Sequence, residues 1–142
     1  MESRYNNLFC SYNSNNYILF NYCVAFINIK SNNYKLYDKI KIQMSYDKFK
    51  NYDEVINFYS KIINEINDCK IILYNFEKLC GYKFSINCIK ELVKRFPNQI
   101  VGVKDSSYNL FEDLKIENFS ILPGSELKLL KGLEFGCSGI IT

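Results

Sequence analysis

Residues 70–107 read KIILYNFEKLCGYKFSINCIKELVKRFPNQIVGVKDSS, and this stretch decides the fold class. It opens with Lys70–Tyr74, a short apolar run typical of a buried parallel strand. Ser85 can then cap a helix whose apolar residues recur at helical spacing, and Pro97 stops that helix. Gln99–Val103 is a second buried apolar run. A strand, a helix and a strand of these lengths predict a βαβ unit with parallel strands.

The same alternation of strand and helix patterns continues on both sides of this stretch. Further strands are predicted at Lys39–Met44, Phe119–Leu122 and Gly139–Ile141, and further helices at Asp53–Ile66, Asn109–Lys115 and Glu126–Phe135. The order predicts an α/β fold with about five parallel strands and outer helices. Five strands fit either an open doubly wound sheet or part of a (β/α)8 TIM barrel, which needs ~250 residues when complete. We favour a partial TIM barrel, because no Gly-rich turn follows the first strand and the sequence stops directly after an apolar strand.

A change in composition near residue 37 divides the sequence in two. Residues 1–37 hold nine of the eighteen Asn residues and show neither the helical nor the strand period. Such a segment buries little apolar surface to offset the entropy lost on ordering. We therefore predict an Asn/Tyr-rich leader over residues 1–37, irregular or weakly attached, and a partial TIM-barrel domain over residues 38–142.

The charge balance and the residue inventory exclude several classes of function. Eighteen basic and fifteen acidic residues are interspersed, and they leave a formal charge of +3 without the basic stripe that nucleic acid requires. The absence of histidine removes Ser-His-Asp, Cys-His and His-ligated metal schemes. Six cysteines without a CxxC pair or metal-ligand spacing are expected to be reduced thiols in a cytoplasmic protein. The apolar stretch Tyr17–Ile29 is too short for a membrane span, so no membrane partner is expected. Because histidine and metal-ligand cysteine spacing are both missing, no metal is expected either.

The carboxyl ends of the predicted strands carry the residues available for chemistry. Lys104 follows Gln99–Val103 directly, so its stem starts in a hydrophobic layer, and partial burial is expected to lower the pKa of its amine. A neutral amine is the nucleophile that forms a Schiff base. Tyr74 ends the previous strand; if the two strands pair about 4.8 Å apart, its phenol lies at the same rim and can shuttle protons.

Each of these residues also has an ordinary structural explanation. A lysine at a strand end is more often a solvated rim residue, and Tyr74 alone fits a core aromatic residue with a wet hydroxyl. Gly124 and Gly139 fit tight turns. Residue types at strand ends therefore leave both interpretations open.

Three motifs lie at these strand ends: ILYNFEKLCGYKFS, IVGVKDSSYNL and LPGSELKLLKGLEFGCSGIIT. In order and spacing they resemble the dihydrodipicolinate synthase/N-acetylneuraminate lyase family of pyruvate-dependent class I aldolases. That family has a TIM-barrel fold, and the resemblance covers about residues 40–142. The family's G-T-T-G-E turn, which belongs to its second strand, has no counterpart in residues 1–37. The resemblance thus implies a fragment that corresponds to strands four to eight of the barrel.

The resemblance implies roles for particular residues of this sequence. Lys104 matches the family's Schiff-base lysine, and Tyr74 matches its proton-relay tyrosine. Gly124, Ile141 and Tyr46 match substrate-binding positions, and Cys80 stands at a further such position, where the family has Thr or Ser. Leu79 stands where dihydrodipicolinate synthases carry the arginine that binds the second substrate's carboxylate, so their lysine-biosynthesis activity is not expected. The PGSE and GCSGIIT blocks are closer to aldolases of the 2-keto-3-deoxygluconate type.

The implied function is that of a carbon–carbon lyase or aldolase in which Lys104 forms an imine with pyruvate or another 2-keto acid. The imine is the electron sink, so neither a metal nor an organic cofactor is expected. The alternative is a non-catalytic degenerate remnant, or a half-barrel that needs a partner chain. A barrel enzyme that uses PGSE and GCSGII as a phosphate cradle is a third hypothesis, but it leaves the pairing of VKDSS with YN unexplained. The expected partner is a small-molecule 2-keto acid, and formation of a homo-oligomer is left open.

Overall fold

A computed structural model describes Tyr17–Leu19, Ala25–Ile29, residues 50–65 and residues 69–142. In chain order the elements are β1 (Tyr17–Leu19), β2 (Ala25–Ile29), α1 (Tyr52–Glu65), β3 (Cys69–Asn75), α2 (Glu77–Cys80), α3 (Ile86–Arg95), β4 (Ile100–Asp105), β5 (Ser120–Pro123), a 3₁₀ helix (Glu126–Lys128) and α4 (Leu129–Glu134). The strands form one sheet in the order β1-β2-β3-β4-β5. β3, β4 and β5 are parallel, whereas β1 pairs with β2 and β2 pairs with β3 in antiparallel fashion.

The α/β class is confirmed, and three of the five predicted parallel strands form within the described residues, as β3, β4 and β5. The predicted strand Lys39–Met44 lies outside the described residues. Gly139–Ile141 does not form a strand. Ser138 N–H donates to the Ile121 carbonyl at 3.0 Å and Ile141 N–H donates to the Pro123 carbonyl at 3.2 Å. In a regular ladder both chains advance by two residues between such bonds. Here β5 advances by two residues, from 121 to 123, whereas the terminal segment advances by three, from 138 to 141. Gly139, whose φ is +148°, accommodates the extra residue.

The leader contributes two strands to the sheet. The expectation that residues 1–37 are irregular or weakly attached is wrong for β1 and β2, since β2 pairs with β3 over five residues, from Ala25↔Leu73 to Ile29↔Cys69. Ladder bonds join main-chain groups, so this pairing does not require the periodic pattern that the leader lacks. The boundary predicted between residues 37 and 38 stays a prediction.

The helices form as their local patterns predict, with one exception. Ser85 caps α3, where its Oγ accepts a hydrogen bond from Cys88 N–H at 3.1 Å. The predicted C-terminal helix forms as the 3₁₀ helix followed by α4. The helical segment predicted at Asn109–Lys115 is absent, and a turn occupies residues 111–113. The N–H groups of Leu110 and Phe111 donate to the Asp105 carboxylate, and Leu114 N–H donates to the Leu110 carbonyl at 2.8 Å, so the segment closes one turn that does not continue as a helix.

The hydrophobic core lies on the face of the sheet that carries Ile71, Leu73 and Val103. Residues of α1 and α3 complete it, with the Tyr59 and Leu92 side chains fully buried. Side chains on the other face are half-buried, and those on the three parallel strands are Ile72, Tyr74, Lys104, Ser120 and Leu122. Within the described ranges, no helix is long and apolar enough to cross a membrane.

The pairing of β2 with β3 predicts that the leader stabilises the fold. Deletion of residues 1–37 removes both antiparallel strands and exposes the edge of β3, so we expect Tm to fall by about 5–10 °C. Deletion of residues 1–16 keeps both strands and is the matched control, with Tm expected within about 2 °C of the full chain. Thermal unfolding followed by circular dichroism measures both values. Equal Tm for the two deletions would contradict a structural role for β1 and β2.

Candidate active site

A one-residue irregularity in the β3–β4 pairing decides which side chains face the site. Ile71 is opposite Ile100, but the next residue, Ile72, is opposite Gly102, so Val101 is an extra residue in β4. Beyond this point the burial of β4 changes phase, and Val103 faces the core while Lys104 faces the half-buried side. The irregularity therefore places the lysine on the face opposite to the core.

Gly102 lies beside this irregularity, where β4 and β5 approach each other closely. A Cβ atom at this position would lie 2.7 Å from the Ser120 carbonyl oxygen. No other residue fits there without a backbone shift, because that oxygen belongs to the main chain of β5.

Lys104 and Tyr74 meet on the half-buried face of the sheet. They are opposite each other in the parallel pairing of β3 and β4. The Lys104 Nζ lies over the Tyr74 ring, 4.8 Å from its centroid. Burial lowers the pKa of the Lys104 amine from its ordinary value of 10.5, because a charged ammonium is poorly solvated there. The predicted meeting of amine and phenol at the strand ends thus corresponds to a direct contact in the structure.

The residues that follow Tyr74 and Lys104 form a buried hydrogen-bond network on the core face. Asn75 and Asp105 are fully buried, and Asn75 Nδ2 donates to Asp105 Oδ1 at 2.7 Å. The other carboxylate oxygen, Asp105 Oδ2, accepts from the N–H groups of Leu110 at 2.8 Å and Phe111 at 3.0 Å. Phe84 N–H donates to Asn75 Oδ1 at 3.0 Å. These bonds tie together the ends of β3 and β4 and the loops that follow them.

Asn109 and the main chain of Asn75 extend this network to the rim. Asn75 Nδ2 also donates to Asn109 Oδ1 at 2.7 Å, and Asn109 Nδ2 donates to the Phe84 carbonyl at 2.9 Å. The Asn75 carbonyl accepts from the N–H groups of Ser106 and Ser107 at 2.9 Å and 3.1 Å. The loop after β4 is therefore held against the end of β3.

Gly124 directly follows β5, beside the loop that carries Ser106. A Cβ atom at Gly124 would lie 2.1 Å from Ser106 Oγ and 3.0 Å from Ser106 Cβ. Its N–H donates to the Asp105 carbonyl at 3.1 Å. The missing side chain of Gly124 thus makes room for the Ser106 hydroxyl at the carboxyl edge.

The remaining predicted site residues are not all part of this arrangement. Ile141 is half-buried and its N–H bonds to β5, as described above. Cys80 lies in α2, on the segment after β3, and Tyr46 lies outside the described residues. Within the described ranges, no cluster of three or more metal-ligating side chains occurs.

Sequence reasoning missed the roles of Asn75, Asp105 and Asn109. A signal for two of them is present, because Asn75 and Asp105 are polar residues that directly follow Tyr74 and Lys104 at the ends of two apolar strands. Polar groups at buried positions require hydrogen-bond partners. Two such residues at matching places in neighbouring strands indicate a shared network rather than two surface residues.

Comparison with known proteins agrees with the family resemblance of the motifs. The sequence model described as the Dihydrodipicolinate synthetase family matches residues 42–142. None of the curated proteins matches the chain.

Several solved structures are similar to this chain. Dihydrodipicolinate synthase from Agrobacterium tumefaciens str. C58 is 30% identical with a TM-score of 0.60, and the match covers 68% of this chain and 36% of that one. The 2-keto 3-deoxygluconate aldolase from Picrophilus torridus is 28% identical with a TM-score of 0.59, covering 68% and 35%. YagE from E. coli K12, a prophage protein solved in complex with pyruvate, shares the fold at 24% identity with a TM-score of 0.58, covering 68% and 34%.

The matched part of this chain thus spans about a third of the length of these relatives. Residues 42–142, which the family model matches, contain the three parallel strands, the contact between Lys104 and Tyr74 and the buried network of Asn75 and Asp105. The match covers well over half of the chain, and the chain belongs to the dihydrodipicolinate synthetase family.

Proposed function

We propose that this chain carries the Schiff-base part of a 2-keto-acid lyase or aldolase site, with Lys104 as the nucleophile. The contact between the Lys104 amine and the Tyr74 ring, 4.8 Å from Nζ to the ring centroid, is the observation that carries this proposal. Burial supports it, because a lowered pKa leaves more of the amine neutral near pH 7. The proposed partner is pyruvate or a related small 2-keto acid, and the proposed location is the cytoplasm.

The proposed reaction begins with attack of the neutral Lys104 amine on the C2 carbonyl of the keto acid. The amine nitrogen forms a bond to C2, the carbonyl oxygen takes up a proton, and loss of water gives the protonated imine. In the cleavage direction, the C4 hydroxyl gives up its proton, the electron pair of the C3–C4 bond moves into the protonated imine to give the enamine, and C4 leaves as an aldehyde. Protonation of the resulting enamine at C3 and hydrolysis of the imine release pyruvate and restore the amine. The imine is the electron sink, so this sequence calls for no added cofactor.

Tyr74 is proposed to carry protons during carbinolamine formation and loss of water. Tyr74 is directly opposite Lys104 in the strand pairing, so its phenol and the reacting nitrogen lie at the same edge of the sheet. Proton transfer by a positioned side chain contributes typically ~10²–10⁴-fold to the rate. Loss of the phenol is therefore expected to slow the reaction.

A 2-keto-3-deoxy acid is the proposed substrate class. Similarity at 28% identity to the Picrophilus torridus 2-keto 3-deoxygluconate aldolase supports this class, and Leu79 stands in place of the arginine of dihydrodipicolinate synthases. The complete reaction is proposed to need more of a barrel than this chain supplies, because the matched part spans about a third of the relatives. The alternative, a non-catalytic remnant or a half-barrel that needs a partner chain, is an outcome of the experiments below.

We expect borohydride reduction in the presence of pyruvate to label Lys104 selectively. Peptide mass spectrometry locates the adduct, which Lys104→Arg should abolish. Lys128→Arg is the matched control, because the Lys128 amine also lies over a tyrosine ring, 5.4 Å from the centroid of Tyr108, and its removal should leave the Lys104 adduct unchanged. Labelling spread over many lysines, or none, would support the non-catalytic alternative.

The selectivity of labelling should depend on pH. The pKa of Lys104 is lowered from 10.5 by burial, so between neutral pH and this value a larger fraction of Lys104 than of the exposed lysines is neutral. Selectivity for Lys104 should therefore be greater at neutral pH than above about 10.5, where lysines lose their proton and the difference disappears. The ratio of Lys104 adduct to total lysine adduct, measured across this range, tests the expectation. A ratio that does not change with pH would contradict it.

Tyr74→Phe should slow formation of the Lys104 adduct by ~10²-fold without abolishing it. The substitution removes the hydroxyl and keeps the aromatic ring beside the amine, so packing is preserved. Tyr108→Phe removes a hydroxyl from the other lysine–tyrosine contact and should leave the rate unchanged. Time courses of trapping at fixed pyruvate concentration give the rates, and equal rates for the two variants would remove Tyr74 from the mechanism.

A further inference from the structure

We propose that Asn75 and Asp105 are positioning residues, whose buried side-chain hydrogen bond holds the strand register that puts Lys104 and Tyr74 in contact. The chemical consequence of this contact rests on the proposed function, whereas the register itself does not. Neither residue touches the reacting atoms in this proposal, because both face the core side of the sheet.

The observed register of β3 and β4 can be compared with an uninterrupted one. Starting from Ile71 opposite Ile100, an uninterrupted pairing would put Tyr74 opposite Val103. It would also put Lys104 opposite Asn75, on the core face, because successive residues of a strand point to opposite faces. The observed register differs by one residue beyond Ile71, with Tyr74 opposite Lys104. The shifted pairing buries Val103, keeps the Lys104 amine out of the core and brings Asp105 opposite Asn75, so we infer that contacts at the carboxyl ends of the strands favour it.

The hydrogen bonds of Asp105 supply that preference. In the observed register Asp105 is opposite Asn75, and its two oxygens accept from Asn75 Nδ2 and from the N–H groups of Leu110 and Phe111. The uninterrupted register would put the amine of Lys104 against the Asn75 side chain in the core. It would also leave the N–H groups of the following loop without this carboxylate. The register that satisfies these polar groups is the one that exposes Lys104 on the other face.

Exchanging the two side chains separates their hydrogen bond from their individual properties. In Asp105→Asn, the new side-chain oxygen is expected to accept from the N–H groups of Leu110 and Phe111, as Asp105 Oδ2 does. The new amide N–H₂ then faces Asn75 Nδ2, so two donors face each other. Asn75→Asp places two carboxylates at the 2.7 Å contact. The double variant Asn75→Asp/Asp105→Asn restores a donor opposite an acceptor and the original net charge. Its rescue is partial, because residue 75 would then present an acceptor to Asn109 Oδ1.

The test reads the position of Lys104 without any substrate. Lysines are dimethylated with ¹³C, and the Lys104 methyl signal, assigned by its loss in Lys104→Arg, should be shifted upfield by the Tyr74 ring and should lose that shift in Tyr74→Leu. We expect each single exchange variant to lose most of the shift and the double variant to regain part of it. Asn87→Asp, which adds the same charge at an exposed position of α3, should leave it unchanged. An unchanged Lys104 signal in folded single variants would overturn the proposal.

A second variant covers the case in which the single exchanges do not fold. Asn109 is exposed, and Asn109→Ala removes its bonds to Asn75 and to the Phe84 carbonyl while Asp105 keeps its partners. We expect a smaller loss of the upfield shift in this variant, because Asn75 Nδ2 loses one of its two acceptors. An unchanged shift in Asn109→Ala together with no upfield shift in the folded double exchange variant would overturn the proposal. Trapping with pyruvate at a temperature where the variants are folded adds a kinetic readout, and a misplaced amine should react ~10–10²-fold more slowly. If the NMR shifts follow the network while the unaltered chain traps no pyruvate, positioning stands and the proposed function fails.

Discussion

The hydrogen bond between the Asn75 and Asp105 side chains is the interaction on which the carboxyl edge of the sheet depends. It joins the ends of β3 and β4 in a region without solvent exposure. An unsatisfied polar group there costs ~1–3 kcal/mol, so the surrounding backbone is arranged to satisfy both side chains. Phe84 N–H donates to the Asn75 side chain, and the N–H groups of Leu110 and Phe111 donate to the Asp105 carboxylate. The conformations of the loops after both strands follow from this one polar pair.

Successive residues of β3 and β4 have different roles, because successive side chains of a strand lie on opposite faces of the sheet. Asn75 and Asp105 face the core and hold the loops, whereas Tyr74 and Lys104 face the half-buried side. A rigid network thus stands directly behind a contact between an amine and an aromatic ring. This division fits the proposed role of Lys104, since reactive groups gain from being held in place by residues that take no part in the chemistry.

The sheet combines a segment of known family with strands that lie outside the family match. The match begins at residue 42, yet β2, which precedes it, occupies the edge of β3 in antiparallel orientation. An uncovered edge of β3 would present unpaired N–H and C=O groups, and pairing with β2 satisfies them. Leu127, Leu130 and Leu133 lie in the helical segments that follow β5, the strand at the other edge of the sheet. Their side chains are exposed in the part of the chain that the structure describes.

Local pattern alone determined the two buried strands of residues 70–107, the Ser85-capped helix between them and the position of Tyr74 and Lys104 at the carboxyl ends of these strands. Each of these depends on neighbouring residues or on the rule that parallel strands end at the same edge. The tertiary structure decided three things: the pairing of β2 with β3, the extra residue at Val101, and the irregular end at Gly139. These depend on main-chain hydrogen bonds between distant segments, and such bonds leave no period in the sequence.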